Sequence, residues 1–184
     1  MFQTETLATL YMVGVSTLIS YLIGIPLGVI LIVTEDGGLY PIKPVHAVLG
    51  FLTNIFRTIP FLILLVMVLP ITKFLVHTTL GPNAIIPPLV FAAAPYIARM
   101  VESSLKEVDA GVIEAARSMG ANRLLIIWKV YLPEAKPSLY IGAAICITSI
   151  LSYSAMAGFV GGGGLGAIAL NYGYYRYKTD IMII

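Results

Sequence analysis

Glu114-Ala115-Ala116-Arg117-Ser118-Met119-Gly120, followed by Leu132-Pro133 with the proline thirteen residues beyond the glycine, is a polar segment in an otherwise apolar chain. Around it, residues 99 to 137 hold six of the eleven basic residues (Arg99, Lys106, Arg117, Arg123, Lys129, Lys136) and five of the nine acidic ones. Elsewhere long hydrophobic runs dominate. Of the 184 residues 59% are hydrophobic and 11% charged, and the mean hydropathy is +0.94. Soluble domains carry roughly a quarter charged residues, so the composition points to an all-α integral membrane protein. A net charge of +2 without a Lys/Arg run argues against a nucleic-acid partner.

Outward from this segment the chain reads as a series of spans. A first apolar run, about Leu7 to Val33, is too long for a signal-peptide core and is read as a retained span, ended by Glu35-Asp36-Gly37-Gly38. A second, Val48 to Val76, contains Arg57, Pro60 and Pro70 and is expected to be one span kinked at its prolines. A third covers about Ala84 to Met100 and a fourth Ser138 to Val160. A Gly- and Tyr-rich stretch then leads to Ile181-Met182-Ile183-Ile184, where a fifth apolar run begins. Four residues cannot cross a core about 30 Å thick. The expectation is therefore a single membrane domain, 1–184, with four complete spans and a sequence that stops inside its last helix. The concentration of cations places the 101–137 connection in the cytoplasm and the N-terminus outside. Lys73, Arg176 and Lys178 fall outside as a minority against that rule.

Within the loop, Asp109 is predicted to cap a helix over Ala110 to Met119, stopped by Gly120 in the left-handed conformation. Asn122 is predicted to cap a second helix, Arg123 to Tyr131, ended by Pro133. Leu124, Ile127, Trp128 and Tyr131 recur on it at helical spacing as one apolar stripe. Such a stripe needs a groove, supplied either by a partner protein or by the chain's own spans. On spacing alone both readings stand.

A resemblance favours the partner. Glu114-Ala115-Ala116, Gly120 and Val130-Tyr131-Leu132-Pro133 resemble the EAA loop of ATP-binding-cassette (ABC) importer permeases, EAA-x3-G-x9-I-x-LP, with Val130 in place of Ile. Three further stretches are similar to methionine-importer permeases: Asn54-Ile55-Phe56-Arg57-Thr58-Ile59-Pro60-Phe61, Ala94 through Glu102, and Ser152 through Gly158. So are Gly161 through Gly166 and Asn171-Tyr172-Gly173-Tyr174. The resemblance implies a type I importer permease fold with five spans, coupled to an ATPase through Glu114, Ala115, Ala116, Gly120, Leu132 and Pro133. It also implies a homodimer, two ATPase subunits that hold ATP and Mg, and an extracytoplasmic methionine-binding lipoprotein. The neighbouring reading is a permease for another, polar amino acid. A stand-alone secondary transporter or channel would be expected to carry paired intramembrane charges.

Other signals are weaker. Gly161-x-Gly163-x-x-Gly166 matches the dinucleotide fingerprint formally but follows a membrane span rather than a strand, and is read as a packed turn through which two copies approach, or as a flexible loop. No Gly-x4-Gly-Lys-Ser/Thr phosphate loop occurs, so ATP hydrolysis by that route is excluded for this chain. Cys146 reads as a small hydrophobe, and His46 and His77 as lone connector residues. Arg57 is a pathway residue or a cation reaching to the headgroups. Met156, near the outer end of the fourth span, lines an outer gate or packs.

Overall fold

The computed structural model describes residues 2–178 and 180–181. Among them regular structure is helical throughout. Helix α1, Phe2–Thr34, has 33 residues, about 50 Å at 1.5 Å per residue. It is followed by α2, Lys43–Thr58, and α3, Phe61–Val76, then α4, Pro82–Lys106. Two short helices, α5 (Ala110–Ser118) and α6 (Arg123–Ile126), precede a π-helical turn, Ile127–Tyr131, and α7, Leu132–Glu134. Helix α8, Lys136–Met156, continues into a 3-10 turn, Ala157–Val160. After it come α9, Gly164–Ile168, and a second π turn, Ala169–Tyr174. The expected fifth run lies largely outside the described residues.

Three of the described helices are long and apolar enough to cross a membrane: α1, α4, and α8 with its 3-10 extension. A fourth span results if α2 and α3, bent at their junction, are counted together. The kink expected at the prolines between Val48 and Val76 takes the form of a break between two 16-residue helices. The break falls at Pro60, whose ring removes a backbone donor and restrains the residue before it. Pro60 (φ −55°, ψ 135°) stands just outside α3, and its carbonyl accepts from Ile63 and Leu64 N–H at 2.9 and 3.0 Å. Pro70, by contrast, lies within α3 without ending it.

The chain divides into two compact units. One comprises Met1–Ser20, Ile59–Ala93 and Ile147–Ile184. Its buried side chains include Met12, Leu64, Leu65, Ile85 and Ile150. Phe61 stacks on Tyr153 with ring centroids 4.7 Å apart. The other comprises Tyr21–Thr58 and Ala94–Cys146. There a Cβ on Gly24 or Gly28 would run into Ile97 or Val101, so these glycines bring α1 directly against α4. Leu31, Ile97, Val101, Leu105 and Ile126 are buried in this unit. Cys146 is free and buried. His46 Nδ1 lies 3.0 Å from the Leu31 carbonyl oxygen, and His77, at φ 60°, caps α3 in the first unit.

Candidate functional site

The helical hairpin α5–α6 is built from its caps. Asp109 Oδ1 accepts from Gly111 N–H at 2.8 Å, and Asn122 Oδ1 accepts from Leu125 N–H at 2.8 Å. Both predicted N-caps are therefore in place. At the other end of α5, Gly120 has φ 82°. Its N–H donates to the Arg117 carbonyl at 2.9 Å, and Ala121 N–H donates to the Ala116 carbonyl at 3.1 Å. This pair of bonds is a Schellman motif. It gives the Ala116-to-Gly120 interval a geometric meaning. Ala116 is three positions inside the cap, supplies the terminal carbonyl and is itself buried, while only glycine takes the left-handed stop without strain.

The second arm departs from the sequence expectation. Instead of one α-helix ended by Pro133, α6 widens into the π turn and the chain stays helical through Glu134. Leu132 N–H donates to the Ile127 carbonyl five residues back. Pro133, having no N–H, enters where the wider ladder has already shifted its bonding register. The expected stripe is divided by the same widening. Ile127 and Tyr131 are buried together with Ile126, whereas Leu124 and Trp128 are 62% and 67% exposed. The inner half packs on the chain's own residues and the outer half is left open, with Val112, Met119 and Leu125 also exposed. Burial pushes the Tyr131 phenol above its usual pKa, opposed by Arg117 and reinforced by Glu35. The Arg123 guanidinium sits over the Tyr40 ring at 4.5 Å, which ties the hairpin to the α1–α2 connection.

Of the other predicted loop residues, Glu114 and Ala115 lie exposed on α5, and Leu132 and Pro133 are half-buried. Among the described residues no hydrogen bond or ion pair engages the Glu114 carboxylate. Arg57 occupies the last turn of α2, where a cation suits the helix dipole. It is exposed and lies 5.8 Å from the Tyr96 ring centroid. It borders a groove of about 680 Å³ whose walls include Asn54, Tyr96, Met100, Ser104, Ile141 and Gly142. Met156 ends α8 and is 36% exposed, in the unit that does not contain Arg57.

Sequence reasoning missed an ion-pair network on the same groove. Glu102, 5% exposed at its side chain, receives Arg99 Nη1 at 2.7 Å and Lys106 Nζ at 3.1 Å. Lys106 also reaches Glu35 at 2.8 Å, and Arg99 Nη2 donates to the Gly50 carbonyl at 3.0 Å. The i, i+3, i+7 spacing of Arg99, Glu102 and Lys106 was a legible signal that all three share a helix face. Their partners on α2 and at the end of α1 were not legible. The glycine stretch forms the close-packed turn expected of it: Gly158 and Gly166 allow two backbone segments of this same chain to meet.

Among the described residues the architecture is that of a helical membrane protein whose capped hairpin turns an apolar face outward between two spans. Residues 24–182 match the family of binding-protein-dependent transport system inner membrane components, and the chain belongs to that family. It is 49% identical over 181 residues, 98% of its own length and 80% of the relative's, to the probable D-methionine transport system permease protein MetI of Vibrio cholerae. It is 47% identical over 155 residues, 84% and 70% of the two lengths, to the methionine import system permease protein MetP of Bacillus subtilis. A solved structure of the MetNI methionine ABC transporter, in inward-facing conformations, superposes with a TM-score of 0.95 at 45% identity. That match covers 98% of this chain and 83% of the other.

Proposed function

We propose that this chain is the permease subunit of a methionine importer of the ATP-binding-cassette type, and is not itself an enzyme. Two copies form the translocation path, and two cytoplasmic ATPase subunits bind ATP and Mg and hydrolyse the nucleotide. An extracytoplasmic lipoprotein delivers methionine to the outer face. The N-terminus lies outside, and the membrane is the bacterial inner membrane.

The observation that carries this reading is the outward face of the hairpin. Leu124 and Trp128 stand exposed, as does Met119 at 81%, on a scaffold whose caps and buried half are already satisfied within the chain. A preorganised apolar knob of this kind binds a groove without first paying for its own folding. The names of the relatives supply the cargo. In the mechanism, ATP closes the ATPase dimer and draws the two hairpins together. The helices above them rock as rigid bodies, so that the inner gate closes while the outer gate opens. Met156 lines that outer gate and Arg57 the inner part of the path. Glu114 makes a polar contact with the ATPase.

The test is ATP-dependent uptake of labelled methionine into vesicles holding the complete importer. Uptake is expected to be displaced by unlabelled methionine far better than by histidine or glutamine. Equal displacement by polar amino acids would overturn the substrate assignment. Uptake without nucleotide would overturn the class.

A further inference from the structure

Glu5 stands in the first turn of α1, yet its contact lies 159 residues away: Oε2 accepts from Gly164 N–H at 2.6 Å. One helical turn on, Thr9 Oγ1 accepts from Leu165 N–H at 2.9 Å and donates to the Glu5 carbonyl at 3.1 Å. Two consecutive amides at the start of α9 are thus held by one face of α1. Gly163 and Gly164 take φ values of 77° and 78°, which turn those amides toward the carboxylate. A Cβ on Gly164 would lie 2.8 Å from both Thr9 Oγ1 and Met12 Cε, so no side chain fits between the partners.

The clamped segment in turn fixes the end of α8. Gly166 packs its backbone directly against the Ala155 carbonyl, and Gly158 packs against the backbone of Gly166 and Ala167. On the other side, Gly162 N–H donates to the Ala157 carbonyl at 2.9 Å. Ala155 and Ala157 flank Met156. The residue between them makes none of these contacts, but its backbone is held from both sides by a segment that α1 holds.

We propose that Glu5 is a positioning residue for the outer gate, its carboxylate clamping the glycine segment that sets the backbone on either side of Met156. This rests on the reading of Met156 as a gate residue. A carboxylate on a backbone amide is a charge-assisted bond, roughly twice as strong as a neutral one. Releasing it frees the glycine segment, and with it the register at which Met156 is presented.

The experiment uses the complete importer in right-side-out vesicles, with Cys146→Ala as background and Met156→Cys as reporter. A membrane-impermeant maleimide reads the accessibility of position 156 without any substrate. Glu5→Ala is expected to raise the labelling rate roughly tenfold, the order set by losing one hydrogen bond to a charged group. Glu5→Gln keeps an acceptor oxygen and is expected to restore most of the protection. Unchanged labelling in Glu5→Ala overturns the proposal. So does an equal rise at a Leu64→Cys reporter, which would mark general loosening, because Leu64 is buried in the same unit. Should Glu5→Ala fail to assemble, Glu5→Leu, which keeps side-chain bulk but offers no acceptor to Gly164 N–H, and Thr9→Val, which removes the acceptor of Leu165 N–H, carry the test, and unchanged labelling in both overturns it. Methionine uptake by the unmutated importer is measured in parallel, so that failure of the transport reading and failure of the clamp are separate results.

Discussion

At Gly120 a single backbone dihedral decides whether the hairpin closes. The position has open space around it and φ 82°, so a substitution there costs strain rather than a clash. Gly120→Ala is expected to destabilise the hairpin by about 1–2 kcal/mol, the usual cost of a left-handed non-glycine residue. Measured as ATPase retained on the affinity-purified permease, the variant should lose complex without losing the permease itself. Full retention would show that the turn tolerates a side chain. Glu102 is the complementary case, a buried acceptor for two cations. Arg99 and Lys106 keep 21% and 42% side-chain exposure, so neither is stranded fully in the interior when the acid is removed. Glu102→Leu is therefore expected to cost roughly 1.5–3 kcal/mol, the range for a hydrogen bond to a charged group. The larger penalty of a fully buried pair does not apply. A thermal unfolding midpoint unchanged from the parent would refute the structural weight given to this network.

Among the elements, the hairpin has two faces with different fates. Leu124→Ala and Trp128→Ala remove apolar surface that is exposed in the isolated chain, so the folding stability of the permease should move by less than about 0.5 kcal/mol. Docking of the ATPase should weaken at least tenfold, because aromatic anchors carry much of an interface's energy. Ile126→Ala, on the buried face, is expected to lower stability by about 2–5 kcal/mol. A thermal-shift assay paired with ATPase pull-down separates the faces, and loss of both properties in Trp128→Ala would contradict the division. Much of this element was legible beforehand. Asp109, Asn122 and Gly120 act through neighbours within a few positions, and those distances are written in the sequence. The π turn and the split stripe were not legible. Helical spacing assumes 3.6 residues per turn, and one widened turn rotates every residue beyond it. The break between α2 and α3 was half legible: a proline signals a fault, but whether a helix bends or stops depends on what receives the freed backbone groups.

For the whole molecule, α8 poses the question of what covers it. Only 22% of its most apolar window is buried in the chain, against 56% for α4. Tyr140, Ile141 and Ile145 are among its exposed side chains. If a second copy meets this helix in the assembled importer, Ile141→Cys in a Cys146→Ala background should form permease–permease disulfides under mild oxidation. Leu18→Cys on the exposed face of α1 is the control and should remain monomeric in the same assay. No cross-link at Ile141→Cys would place the contact elsewhere, and equal cross-linking at Leu18→Cys would mark random collision rather than an interface.

The amino-acid sequence by itself determined the membrane class, the placement of most helices, the capped hairpin and, through its EAA pattern, the family. These properties depend on hydrophobic runs and on bonds between residues a few positions apart, so the order of residues is enough to read them. Tertiary structure alone decided that Lys106 reaches Glu35 and Arg99 the Gly50 carbonyl, and that the outer half of the hairpin stays uncovered. It also decided that Glu5 reaches Gly164. Each of these depends on which helix lies against which, and that is settled by close packing across scores or more than a hundred residues of chain, for which local pattern carries no coordinate.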